Sequence, residues 1–303
     1  MAEVAPVDAA GDLPPSEADR RGWLEDAAAR LSGGLDLAVG ELLQRDGPRL
    51  AEDQRWVVVS AYDLSAPCPG RWAHPPGQDD FVDSSANAAR RLGRMALRGW
   101  SPGRSLTDQV DRVLSDTEDW PTGLRTWFET LDRSGRATVA AAAVAWAAGA
   151  LGAVGGRDDL TWSRQNEMVS VPDRAVRLSG SWDAIKGRRR APTAVLVMSN
   201  APPDAERDRL VAGFTALVAG FGPRIVPDRV RLGSASAGTT RPVVVTPELL
   251  RAAVDRVVQL VSFRAAPADA PLVPGRWCSH CHLLESCDVG TAHLASPPAP
   301  LAP

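Results

Sequence analysis

The chain has 303 residues, 34 basic and 37 acidic side chains, a formal charge of −3, and 44% hydrophobic residues. That is enough for one large domain or two small ones with a real core. It excludes global disorder and a coating of basic residues for bulk nucleic-acid binding, though not a local basic groove. No apolar run makes a convincing bilayer span of roughly 20 residues, the nearest being the Ala-rich stretch 137–154. The N-terminus has no basic region leading into an apolar one, so a soluble, cytoplasmic protein is expected.

Residues 1–19 are rich in Ala, Pro and acids without periodicity and read as a flexible leader. Residues 20–290 read as one domain, followed by a flexible Pro/Ala tail over 291–303. Within the domain, 20–160 is helical. Ser16 caps a helix through Arg30, and a short strand follows at Arg55–Ser60. A helix runs from Ser84 or Ser85 towards Trp100, and Ser105, Asp119 and Gly135 mark the starts or breaks of further helices. The stretch from Val139 to Leu151 is almost wholly Ala, Val and Trp and reads as a buried core helix.

The β-rich part covers 161–264. Met168–Val171, Ala175–Ile185 and Thr193–Ser199 read as three consecutive strands separated by turn residues. A helix over Ala205–Gly220 follows, then short strands at Arg229–Leu232 and Val243–Val245. Thr246 with Pro247 opens a last helix to about Phe263. The expected class is α/β.

Residues 272–290 form a cysteine module: Cys278, Cys281 and Cys287 are spaced Cys-x2-Cys-x5-Cys. Cys68 stands far upstream, between two prolines. Clustered cysteines in a chain of this kind point to a metal rather than to disulfides. Zinc would use the triplet with His280 or His282 and leave Cys68 an ordinary thiol. A 4Fe-4S cluster would use all four thiolates, and the prolines around Cys68 favour that reading.

An early Cys-Pro, a long interval and a late Cys-x2-Cys-x5-Cys resemble the iron-staple nucleases of the PD-(D/E)XK superfamily. That group includes AddB-type helicase–nucleases, RecB-like exonucleases and CRISPR adaptation nucleases. Ser60 through Cys68-Pro69-Gly70-Arg71-Trp72 and Pro274-Gly275-Arg276-Trp277-Cys278 resemble that group's flanking segments. The resemblance implies a restriction-endonuclease-like α-β-β-β-α-β core, with Cys68 closing the C-terminal module through the cluster. Closing a loop of about 210 residues restricts the unfolded chain by roughly 5 kcal/mol, before metal–ligand bonding is counted.

These nucleases hold divalent metal with an Asp on one strand and an acid-x-Lys on the next. Asp183, in Gly180-Ser181-Trp182-Asp183, resembles the first of these. Met198 and Asn200 stand where the acid and the lysine are expected. Leu97 replaces the metal-binding His of a Gly-x-x-x-His helix, best matched by Gly93–Leu97. A Gln-x-x-x-Tyr helix is best matched by Leu210–Phe214. The cluster motif is kept and the catalytic motif is lost, which leaves Asp183 vestigial. Glu167 and Lys186 are the weak substitutes, although residues i and i+3 of a strand face opposite ways unless a bulge intervenes.

Two readings follow. In the first, the chain is a non-catalytic, nuclease-fold subunit of a DNA-processing or defence complex, with a protein partner and sequence-independent DNA contact. Lys186, Arg188, Arg189 and Arg190 are the proposed phosphate contacts, extended by Arg224, Arg229, Arg231 and Arg241. In the second, it is an active metal-dependent DNA exonuclease whose ligands have migrated. No phosphate-loop or Gly-x-Ser-x-Gly pattern supports other chemistry.

Overall fold

The computed structural model describes residues 15–46, 57–64, 68–74, 84–98, 100–101, 103–118, 120–155, 160–171, 176–188, 191–199, 204–221 and 226–296. The described chain is a mixed α/β structure. It opens with α1 (Glu17–Asp46), β1 (Val57–Ser60), α2 (Ala61–Leu64) and α3 (Pro69–Ala73). Then come α4 (Ser85–Arg98), α5 (Leu106–Ser115), α6 (Thr122–Glu129) and α7 (Arg133–Val154). The strands β2 (Leu160–Ser170), β3 (Val176–Arg188) and β4 (Ala191–Ser199) lead into α8 (Ala205–Phe221). β5 (Arg229–Ser234), β6 (Thr239–Val244), α9 (Pro247–Ala265), 3-10 turns at Arg276–His280 and Leu284–Ser286, and α10 (Asp288–Ala295) complete it.

Three boundaries differ from the sequence reading. The first helix starts at the expected Ser16 cap, where Ser16 and Asp19 exchange side-chain-to-backbone hydrogen bonds of 3.2 and 3.0 Å, so it takes in the end of the expected leader, and it runs to Asp46 rather than Arg30. The expected tail begins as α10, whose cap is the Cys287 sulfur accepting from the Gly290 N–H. β2 begins eight residues early, because a long β3 offers an edge that even the polar stretch 163–166 can join. The rest of the leader and tail, together with Asn200, Arg189, Arg190 and Arg224, lie outside the described residues.

β2, β3 and β4 form an antiparallel meander, and α8 crosses over to β5, which runs parallel to β4 and antiparallel to β6. β1 runs parallel to β3 and pairs only with Val176–Ser179. β4 pairs with β3 only from Ala184 to Arg188. β2 overlaps both of those pairings, so β1 and β4 must share the opposite edge of β3. Between them, Gly180 to Asp183 have no ladder partner on that edge.

The sheet carries a core on each face. Leu178, Trp182, Val195 and Val230 pack with Phe214 of α8, Val257 of α9 and Leu31 of α1. On the other face Ala184, Leu196 and Met198 pack with Trp146 and Ala150 of α7 and Leu97 of α4. A third cluster joins α4 to α7.

The helix expected to be wholly buried is buried on one side only. Val139, Ala143, Trp146, Ala147, Ala150 and Val154 face inward, while Ala141, Ala142, Ala145 and Ala148 are exposed. Alanine adds little apolar surface, so an all-apolar sequence still makes a one-sided helix. α7 is long and apolar enough to cross a membrane by length and composition alone, contrary to the sequence reading; here it packs on the sheet through that inward face.

Two glycines of α7 should behave oppositely. A Cβ on Gly149 would sit 2.0 Å from the Ala235 carbonyl oxygen, whereas one on Gly152 meets nothing within 4 Å. Gly149→Ala should lower stability by about 1–3 kcal/mol, and Gly152→Ala should raise it by about 0.5–1 kcal/mol. Urea unfolding monitored by circular dichroism checks both.

Candidate functional site

Asp183 sits where β4 diverges from β3. Its side chain is 3% exposed, and its carboxylate accepts the Met198 N–H at 2.8 Å, a donor that the β3–β4 ladder no longer serves. The alternation of β3 slips at this residue: Trp182 packs on the α8 side, Ala184 on the α7 side. Arg94 of α4 closes the arrangement. Its guanidinium forms an ion pair with Asp183, with one hydrogen bond of 3.0 Å, and donates to the Met198 carbonyl at 3.1 Å. The same group lies 5.6 Å from the ring centre of Trp146. A carboxylate, a carbonyl and an aromatic face therefore surround one fixed organic cation.

The expected substitute residues do not join Asp183. Glu167 is in register with Gly180, three residues along β3, hence about 10 Å away. The Cβ position of Gly180 meets Val218 of α8, so this cross-strand pair lies on the α8 face, opposite Arg94. Lys186 is in register with Leu160 and Ala194 further along β3. Leu97 and Met198 are buried against Trp146, and Phe214 fills the core beneath the other face.

The four cysteines line one cavity, walled mainly by Leu272, Val273, Trp277, Leu283, Leu284 and Val289. The Gly275 N–H approaches Cys278 Sγ at 3.4 Å, and the Gly290 N–H approaches Cys287 Sγ at 3.3 Å. A Cβ on Gly290 would lie 3.4 Å and 3.6 Å from the sulfurs of Cys287 and Cys278. Among the described residues, no three or more Cys, His, Asp or Glu side chains gather as a group that could hold a metal ion. His282 Nε2 is bound to the His74 carbonyl at 2.5 Å, so this ring ties the module to α3. The side chains at the cavity are thus thiols within mainly apolar walls.

The two halves of this region meet closely. The Gly70 N–H donates to the Pro271 carbonyl at 3.2 Å, and a Cβ on Gly70 would fall 2.4 Å from Leu272 Cδ2. Just upstream, Asp63 receives the Ser60 N–H and hydroxyl, each at 2.7 Å. Burial pushes the Asp63 carboxyl above the ordinary carboxylate range, opposed by the bonds from Ser60 and Trp72 and by the Arg264 charge.

The basic candidates separate. Lys186, Ala194 and Arg229 form one row across three strands, and Leu196 with Arg231 forms the next. Leu196 packs on the α7 face and Ala194, two residues along β4, shares that face by alternation, so Lys186, Arg229 and Arg231 lie there too. Arg241 belongs to the other face, where it is ion-paired with Asp208 of α8. Arg188 ends β3 opposite Ala191.

No protein-family model matches the chain, and no curated protein matches it. Sequence reasoning passed over Arg94, the residue that defines the fork. Its signal was available: it stands three residues before Leu97, on the same helix face as the expected metal-binding position.

Removing Arg94 leaves Asp183 buried and unpaired, so Arg94→Met should cost about 3–5 kcal/mol. Adding Asp183→Asn removes the stranded charge and keeps an acceptor for the Met198 N–H. The double variant should regain much of the loss, read from denaturant midpoints. Asp63 carries a different signature. Its folded-state carboxyl holds a proton more tightly than in the unfolded chain, so the folded state gains stability as pH falls through the raised value and loses it as pH rises. The unfolding free energy of the native chain, measured relative to Asp63→Asn, should therefore rise from pH 7 towards pH 4.

Proposed function

We propose that the chain is a nuclease-like protein without nuclease chemistry, which binds DNA as a subunit of a DNA-processing or defence assembly with a protein partner. The order α7, β2, β3, β4, α8, β5 supports a restriction-endonuclease-like core, and the four thiols around one cavity support a 4Fe-4S staple. Cys68, Cys278, Cys281 and Cys287 would hold that cluster. What it supplies is cross-linking of distant chain segments.

The observation that carries the loss of catalysis is the Arg94 guanidinium against Asp183 and the Met198 carbonyl. A divalent ion needs several oxygen ligands and keeps its waters. At this fork the carboxylate and the nearby carbonyl are already engaged by an organic cation. Leu97 and Met198 add no ligand oxygen from their side chains, and they exclude water.

Protein purified anaerobically should contain about four iron atoms per chain, with a broad absorption near about 400 nm. Stoichiometric zinc without iron would favour the structural-zinc reading. With Mg²⁺ or Mn²⁺, neither single- nor double-stranded DNA should be cut. Cleavage abolished by Asp183→Ala would overturn the non-catalytic reading and support an exonuclease with migrated ligands.

A further inference from the structure

The end of α7 and the first part of β5–β6 enclose an open cleft lined by Gly152–Gly155, Thr240, Pro242, Arg229 and Arg231. Neither arginine makes an ion pair or hydrogen bond with the described residues. The natural local acceptors are the last carbonyls of α7, and those of Leu151, Gly152 and Ala153 have other donors. Gly155, left-handed at φ 68°, turns its N–H back to the Leu151 and Gly152 carbonyls. Thr240 Oγ1 donates to the Ala153 carbonyl at 3.2 Å. The helix end is therefore closed without using either guanidinium.

The two arginines alternate with Val230, so both leave the same face of β5, about 6.8 Å apart along the strand. Their strand neighbours are Ala194 and Val244 beside Arg229, and Leu196 and Pro242 beside Arg231. None of these offers a side-chain acceptor. Asp228, adjacent in sequence, is ion-paired with Arg20 of α1. Arg241, one strand away, is turned to Asp208 on the opposite face. Two planar, permanently charged forks thus stand beside a cleft whose other lining side chains carry no charge. That chemistry matches oxyanions able to accept paired N–H donors, above all phosphate.

We infer that this cleft is a phosphate-binding site, with Arg229 and Arg231 as its ligands. It lies on β5, two strands from Asp183 on β3 and beside the β4 arm of the fork, which is charge-balanced by Arg94 and offers nothing to an anion. Phosphate chemistry reaches such a site from a nucleic-acid backbone or from a small phosphorylated solute. Taking DNA as the source rests on the function proposed above; the site itself does not.

The test uses the full chain and the double variant Arg229→Gln/Arg231→Gln, with Arg133→Gln at the exposed opposite end of α7 as the charge-matched control. Both variants should keep the native circular dichroism, since Arg229 and Arg133 are exposed and Arg231 is half-buried without a partner among the described residues. The probes are a mixed-sequence single-stranded oligonucleotide followed by fluorescence anisotropy, and inorganic pyrophosphate followed by thermal shift. The double variant should bind the oligonucleotide at least about tenfold more weakly, with a log–log salt slope shallower by about two. Arg133→Gln should stay within about twofold of the native chain. Oligonucleotide binding absent from all forms, with pyrophosphate stabilising the native chain and not the double variant, keeps the site and rejects DNA as its source. If the double variant matches the native chain with both probes, the site is overturned. Restoration of binding by Arg231→Lys alone, to the native level, would overturn the forked-donor geometry in favour of simple charge.

Discussion

The unpaired interval on one edge of β3 is the constraint from which the architecture around Asp183 follows. β1 serves that edge as far as Ser179, and β4 serves it from Ala184 onward. A buried strand edge leaves peptide groups that must find partners. Asp183 supplies the acceptor for the Met198 N–H, and Arg94 supplies the donor for the Met198 carbonyl. A carboxylate used this way, in a place that excludes water, requires a countercharge. Arg94 meets the backbone demand and the charge demand with one group. Its guanidinium also covers Trp146, which anchors α7 to the sheet. The fork thus couples strand divergence to the seating of two helices.

The cysteine cavity is built on a separate set of close approaches. Gly70 lets α3 approach the Pro271–Leu272 backbone, and the His282 ring reaches the His74 carbonyl from the far end of the chain. These polar ties hold Cys68 beside the C-terminal triplet on their own account. A cluster at those thiols would then tighten an arrangement already specified by packing. The Ser60–Asp63 turn supports the same corner from beneath, holding a buried carboxyl one turn before the segment that leads to Cys68.

The elements were largely legible in the sequence because their signals are local. Ser105 and Thr246, both named from the sequence, each accept a backbone N–H at a helix start, and turn residues marked the limits of β3 and β4. α7 starts at Arg133 with Asp132 as its cap, two residues before the expected Gly135, and Asp119 lies outside the described residues. β2 was underestimated because its first half is polar and owes its conformation to pairing with β3, a non-local cause. The one-sided burial of α7 was hidden because alanine looks the same on either face. At the candidate site, Asp183 was legible as an isolated carboxylate, and the slip in β3 alternation was foreseen only as a condition. The partner was passed over although Arg94 shares a helix face with Leu97, because it lies 89 residues from Asp183 and arginine on an amphipathic helix ordinarily faces solvent.

Electrostatics links the closed fork to the open cleft. A metal-dependent cleft attracts phosphate through its ion, while its carboxylates repel phosphate when the ion is absent. Pairing Asp183 with Arg94 cancels the negative charge at the fork and equally consumes the positive one. The fork then contributes little field in either direction. With a chain charge of −3, attraction for a polyanion has to come from cations that no carboxylate holds. On the α7 face Arg229 and Arg231 meet that condition among the described residues, whereas Arg241 on the other face is paired with Asp208. The same sheet thus carries a closed, charge-balanced fork between β3 and β4 and, on the neighbouring β5, two arginines that no carboxylate among the described residues holds.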